Sequence, residues 1–130
     1  MHIDKIKINN FKNYISTEVR FSNKINFLFG NNGAGKTNLL DAIYYLSYGK
    51  SAFNNFDSDN IFTEKSFFKI EGDYSNNLSY KCTFEQPNIK KIFENNDKYS
   101  KVKDHLGKIP LVFINPYDIC LLYTSDAADE

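Results

Sequence analysis

Cysteine is scarce in this chain, and long hydrophobic runs and net charge are missing altogether. Two cysteines in 130 residues, Cys82 and Cys120, are too few for a disulfide framework and lack the spacing of metal ligands. No stretch approaches the roughly 20 apolar residues of a membrane span. Sixteen Lys and Arg balance sixteen Asp and Glu, so whole-chain charge points to no partner. The opening Met1-His2-Ile3-Asp4-Lys5 has no apolar run behind a basic start and is not expected to act as an export signal. Collagen, coiled coil, membrane protein, secreted mini-domain and disordered tail drop out. What is present is an ordinary globular mixture, 42% hydrophobic and 25% charged, in a length suited to one domain or part of a larger one. The expectation is a soluble cytoplasmic protein.

The balance of charge hides an uneven end. The last eleven residues carry Asp126, Asp129 and Glu130 and no base; without them 16 basic residues face 13 acidic ones. Residues 1–119 are crowded with Asn, Lys, Ile, Phe and Tyr, whereas residues 120–130 end in Asp-Ala-Ala-Asp-Glu. That tail resembles the translation of a sequencing-library adapter. It is expected to be a non-native read-through, with a genuine acidic terminus as the alternative, and residues 1–119 carry the fold reasoning.

Lys5-Ile6-Lys7-Ile8 and Thr17-Glu18-Val19-Arg20-Phe21 alternate polar and apolar side chains and can pair as a hairpin around residues 9–13. Ile25-Asn26-Phe27-Leu28-Phe29 reads as a third, more buried strand. From Thr37 to Tyr48 the period becomes helical, with Leu39, Leu40, Ile43 and Leu46 on the apolar face and Gly49 as the stop. Residues 51–60 have turn chemistry and two exposed-looking phenylalanines. Residues 67–74 and 78–85 read as paired strands around Ser75-Asn76-Asn77, with Leu78, Tyr80, Cys82 and Phe84 on one face. Lys90-Lys91-Ile92-Phe93 opens a small hairpin, and Leu111-Val112-Phe113-Ile114 is a short apolar strand between prolines. The class is mixed α/β with an antiparallel contribution.

The chemistry is concentrated in Gly30-Asn31-Asn32-Gly33-Ala34-Gly35-Lys36-Thr37. This is Gly, four residues, then Gly-Lys-Thr, between an expected strand and an expected helix. Glycines permit positive φ and clear away side chains, so successive backbone N–H groups can turn inward on phosphate oxygens. The helix adds its unpaired N–H groups and the positive end of its dipole. Lys36 would reach the β- and γ-phosphates, and the Thr37 hydroxyl would hold Mg2+ brought in with the triphosphate. Phosphoryl transfer also needs an acidic residue at the end of another strand and a group that positions water. No apolar run ending in Asp-Glu follows the helix, so no catalytic residue is assigned and binding is expected more readily than cleavage.

Three segments together narrow the field: Ile8-Asn9-Asn10-Phe11-Lys12-Asn13-Tyr14, the glycine-rich loop, and Thr37-Asn38-Leu39-Leu40-Asp41-Ala42-Ile43-Tyr44. With Gly49-Lys50-Ser51, Phe68-Lys69-Ile70-Glu71-Gly72 and residues 110–118, they resemble the N-terminal part of the RecF family across residues 1–119. These are bacterial DNA replication and repair ATPases related to SMC and ABC ATPase heads. The resemblance implies an α/β P-loop NTPase, an ABC/SMC-like head lobe with antiparallel hairpins beside the core, here incomplete. It implies ATP with Mg2+, contacted by residues 30–37 and Asn38. Lys12 and Asn13 would lie near the α-phosphate or nucleoside, and Asp118 would lie near the γ-phosphate. It also implies an ATP-dependent homodimer of the full-length protein, double-stranded DNA at single-strand gaps, RecO and RecR as partners, and RecA loading in recombinational repair and the SOS response. The family is a weak DNA-stimulated ATPase; its Walker B and signature motifs are not found in this sequence. The alternative is the nucleotide-binding head of another ABC/SMC-like ATPase, associated with a nuclease or a transporter.

Plainer expectations attach to the remaining conspicuous residues. His2 and His105 are isolated and expected at the surface or an edge. Cys82 is expected as a small buried hydrophobe. Lys90, Lys91, Lys98, Lys101 and Lys103, interleaved with Phe93 and Tyr99, are either a nucleic-acid-facing patch or a lysine-protected hairpin edge. Twelve Phe and nine Tyr suggest an aromatic core more than a stacking platform.

Overall fold

The computed structural model describes residues 1–28 and 35–114. Among these residues one α-helix lies across one face of a six-stranded antiparallel sheet. The strands are β1 (Ile3–Phe11), β2 (Tyr14–Arg20), β3 (Phe67–Tyr74), β4 (Leu78–Glu85), β5 (Ile89–Glu94) and β6 (Asp97–Lys98), in the order β2-β1-β3-β4-β5-β6. The helix α1 spans Lys36–Tyr48.

Alternation decides which face is buried. Ile6 and Ile8 of β1, Phe68 and Ile70 of β3, Tyr80, Cys82 and Phe84 of β4 and Ile92 of β5 point to the helix. On the other face Lys5 lies between Glu18 and Asp73 (3.4 and 3.3 Å), and Lys69 faces Glu71. α1 answers with Leu39, Ala42, Tyr45 and Leu46. Phe11, Tyr45 and Phe68 meet edge-to-face at 5.2–6.1 Å, and Phe68 stacks on Phe84, so among the described residues the aromatics chiefly build core. Each fully buried side chain of this kind contributes about 1.5–3 kcal/mol of apolar transfer.

α1 ends as its sequence dictates: Gly49 takes φ 70°, a left-handed conformation, and its N–H donates to the Tyr45 carbonyl. Past it, a 3-10 helix (Asp57–Asn60) is tied to α1 and to β5. Asp57 accepts from the Tyr45 hydroxyl at 2.6 Å and pairs with Lys90 at 2.8 Å, and Lys90 also donates to the Gly49 carbonyl. Lys90 is thereby taken out of any basic patch, while Lys91, Lys98, Lys101 and Lys103 remain exposed.

Four expectations are corrected. Residues 25–28 form no strand, and Ile25 and Phe27 are 74% and 73% exposed. Residues 111–114 form none either, with Val112 and Ile114 at 84% and 64%. An apolar run becomes a strand only against a partner ladder, and the six strands offer neither segment one among the described residues. Leu40 is exposed rather than part of the apolar stripe, because Ala42 and Tyr45 occupy the arc of helix facing the sheet. His105 is fully buried, not at the surface. A second 3-10 helix (Val102–His105) turns the chain beneath the end of α1, where the Leu46 carbonyl is one of the last four without a partner further along the helix. The His105 Nε2 supplies that partner, and since a carbonyl only accepts, the neutral ring carries its proton on Nε2. His2 does lie at the surface, 2.9 Å from Asp4. The tail 120–130 and Asp118 lie outside the described residues.

Candidate functional site

The candidate site is the N-terminus of α1 and the β1–β2 turn that abuts it. Of the glycine-rich loop, Gly30, Asn31, Asn32, Gly33 and Ala34 lie outside the described residues; Gly35, Lys36 and Thr37 are described, as are Asn38, Lys12 and Asn13. Gly35 is the N-cap, with φ 94° and ψ −2°. An L-residue avoids that conformation, so the motif's second fixed glycine is needed for backbone reasons alone. It brings no side chain to cap the first turn, and that turn holds no acidic residue to cancel the dipole. Lys36 and Asn38 are half-buried and Thr37 is exposed. These are the features of a helix end suited to an anion.

Three consecutive residues, Lys12 and Asn13 of the turn and Tyr14 at the start of β2, grip this helix end. The Tyr14 hydroxyl donates to the Gly35 carbonyl at 2.7 Å. Asn38 Nδ2 donates to Asn13 Oδ1 at 2.8 Å. Lys12 Nζ lies 2.6 Å from Asp41 Oδ2. Gly35, Asn38 and Asp41 are spaced by three, so they form one row up the helix while the turn descends it in step. The turn can make this approach because Asn10 and Lys12 adopt φ 55° and 53°. Residues 12–14 thus lie against the first two turns of α1.

Lys12 is engaged within the protein itself. Its ammonium is held by the wholly buried Asp41 and lies 5.6 and 5.2 Å from the ring centroids of Phe11 and Phe53. Asp41 also accepts from Ser51 Oγ at 2.5 Å and from Ala52 N–H at 2.7 Å, and Ser51 Oγ in turn accepts from the N–H groups of Phe53 and Asn54. Tyr14, Asp41 and Ser51 stand in the motif segments but are given no role at the site from sequence. The signal available for Asp41 was a charged residue alone in the apolar stretch 39–46.

A model of an AAA domain matches residues 5–115. The chain belongs to the AAA domain family. Curated relatives named DNA replication and repair protein RecF are similar to it: that of Bacteroides fragilis is 44% identical over 122 residues, 91% of this chain, and that of Flavobacterium johnsoniae is 41% identical over 121. The chain spans about a third of the length of the curated relatives it matches, 33% in the first case. Among solved structures, that of "the recombination mediator protein RecF-ATP in RecFOR pathway" superposes with a TM-score of 0.85 at 26% identity, over 92% of this chain and 33% of the other. An SMC ATPase structure superposes at 0.80 with 19% identity, over 95% of this chain and 91% of the other, which speaks for the fold alone. This member of the AAA domain family therefore has the fold of a RecF/SMC-type ATPase head lobe and is RecF-like in sequence. No helix among the described residues is long and apolar enough to cross a membrane.

Proposed function

We propose that the chain is the ATP-binding part of a RecF-like DNA replication and repair protein, with the nucleotide at the N-terminus of α1. The observation that carries this reading is the left-handed, side-chain-free Gly35 cap of a helix whose first turn has no acid, placed where Gly-Lys-Thr closes the loop motif. The residues present fit a magnesium triphosphate. Gly30, Asn31, Asn32, Gly33, Ala34 and Gly35 would supply backbone amides, Lys36 a compact cation, Thr37 a hydroxyl for Mg2+, and Asn38 and Asn13 a polar wall. Lys12 would act there through the helix it braces. Bound triphosphate would supply the energy of a conformational cycle; the chain's own groups hold and orient it, and no residue is assigned to water activation.

Beyond the pocket, the RecF likeness supports ATP-dependent pairing of two heads in the cytoplasm. It also supports binding of duplex DNA beside single-strand gaps, and work with RecO and RecR in loading RecA. The titration that tests the core of this is calorimetric. MgATP should bind the protein, and Lys36→Ala should weaken it by at least tenfold, since the phosphate charge loses its nearest cation. Equal affinities would refute the reading. Duplex binding that ignores both ATP and salt would refute the DNA part.

A further inference from the structure

We propose that Tyr14 is a positioning residue for the bound phosphate, acting through the peptide unit that joins Gly35 to Lys36. This rests on the nucleotide reading above. The Gly35 carbonyl accepts two hydrogen bonds: from the Leu39 N–H at 2.8 Å, within the helix, and from the Tyr14 hydroxyl at 2.7 Å, from the first residue of β2. Both lone pairs of that oxygen are thereby used. A trans peptide is planar, so the N–H of Lys36 points opposite to the Gly35 carbonyl. Fixing the carbonyl from two sides fixes the direction of that N–H, toward the end of the helix where an anion is proposed to sit.

The helix alone can supply only the first of the two bonds, and it moves with the peptide it would have to hold. Tyr14 supplies the second from the sheet. Its own placement is secured by its neighbours in the turn, Asn13 on Asn38 and Lys12 on Asp41. Partial burial raises the phenol above its ordinary value of 10, so the hydroxyl keeps its proton and remains a donor. The fit is close enough to bar a side chain at position 35: a Cβ there would lie 2.8 Å from the Tyr14 hydroxyl and 3.1 Å from Asn13 Nδ2. Gly35 is thus both the left-handed cap and the seat of the tyrosine hydroxyl. Preorganised amides of this kind stabilise an anion because they need no reorientation when it arrives.

The test is Tyr14→Phe, which removes one oxygen and keeps the ring. Affinity for MgATP and MgADP should fall about fivefold, the worth of one net hydrogen bond. In amide-resolved NMR the displacement of the Lys36 N–H signal on adding nucleotide should shrink, while signals of β4 and β5 stay in place; a merely structural role would not move that one amide selectively. Wild-type affinity with a wild-type Lys36 displacement would overturn the inference. Lys36→Ala separates the two levels. If it binds like wild type, the nucleotide reading itself has failed; if it loses binding while Tyr14→Phe does not, only the role of Tyr14 has failed. Should Tyr14→Phe not fold, 3-fluorotyrosine at position 14 keeps the ring and strengthens the donor. It should bind MgATP more tightly than tyrosine, and unchanged affinity would again overturn the proposal.

Discussion

The ammonium of Lys12 and the carboxylate of Asp41 form an ion pair 2.6 Å long, with Asp41 wholly buried and the Lys12 side chain only 12% exposed. Such a pair is costly to break from one side, because the survivor keeps its charge and loses its partner. Asp41→Ala would also strip Ser51 Oγ and the Ala52 N–H of their acceptor. It is therefore expected to destabilise the fold by about 3–5 kcal/mol. Lys12→Met combined with Asp41→Leu should cost much less than the two single changes added together. Urea unfolding of the four proteins of this cycle measures it, and strict additivity would show the pair to be uncoupled.

Stability should fall on mild acidification, with His105 responsible. Burial holds its pKa below the ordinary 6.5, and this outweighs the opposing pull of the Leu46 carbonyl and of Glu94. The folded protein refuses a proton that the unfolded chain accepts. The contribution is complete above pH 6.5 and is lost as the pH drops below that value, until the folded imidazole also titrates. His105→Gln keeps an N–H for the Leu46 carbonyl and cannot take up a proton. Urea midpoints between pH 5 and 7.5 should slope in the wild type and flatten in the variant; parallel profiles would assign the slope to other groups.

Legibility in the sequence followed the range of the interaction responsible. β3 and β4 were readable to the residue, because alternation and the Ser75-Asn76-Asn77 turn are local. The helix was legible to within one residue and its glycine stop was plain, although Leu40 was placed on the wrong face. Residues 25–28 and 111–114 carry the same apolar signal, yet strand formation depends on a partner ladder that no local pattern announces. His105 shows the converse: it looks isolated in the chain, and only the fold brings it to the Leu46 carbonyl and the rings of Tyr80 and Tyr99. At the candidate site the motif offered Gly35, Lys36 and Thr37 as candidates. The bracing by Tyr14 and Asp41 was hidden because it depends on how a hairpin turn seats on a helix.

Gly72 of β3 leaves room for Leu46 of α1. A Cβ there would lie 2.7 Å from Leu46 Cδ1 and 3.0 Å from the Tyr74 ring. Gly72→Ala should cost about 1–3 kcal/mol by overpacking. Leu46→Ala alone should cost about 2–5 kcal/mol by leaving a cavity. The double variant should be less destabilised than the sum, since the new methyl occupies space the leucine vacates. Thermal unfolding of all three would show it, and a double variant destabilised by the full sum or more would mean the two sites do not share that space.

Cys82 should be inert while the protein is folded. Its thiol is fully buried on the inner face of β4, close to the Tyr45 carbonyl, and burial pushes its pKa up to about 12, against a smaller opposite pull from Lys90. At pH 8 the thiolate, which is the reactive species, is then rare, and the sulfur is also shielded from reagent. Iodoacetamide applied to the native protein at pH 8 should leave the peptide containing Cys82 unmodified. The same treatment in urea should modify it completely, because the unfolded thiol returns to its ordinary value near 9. Mass spectrometry of that peptide reads both arms. Rapid native labelling would mean that the sheet opens beneath α1 on the timescale of the reagent, and the tight seating of Tyr45 and Leu46 on β3 and β4 would have to be abandoned.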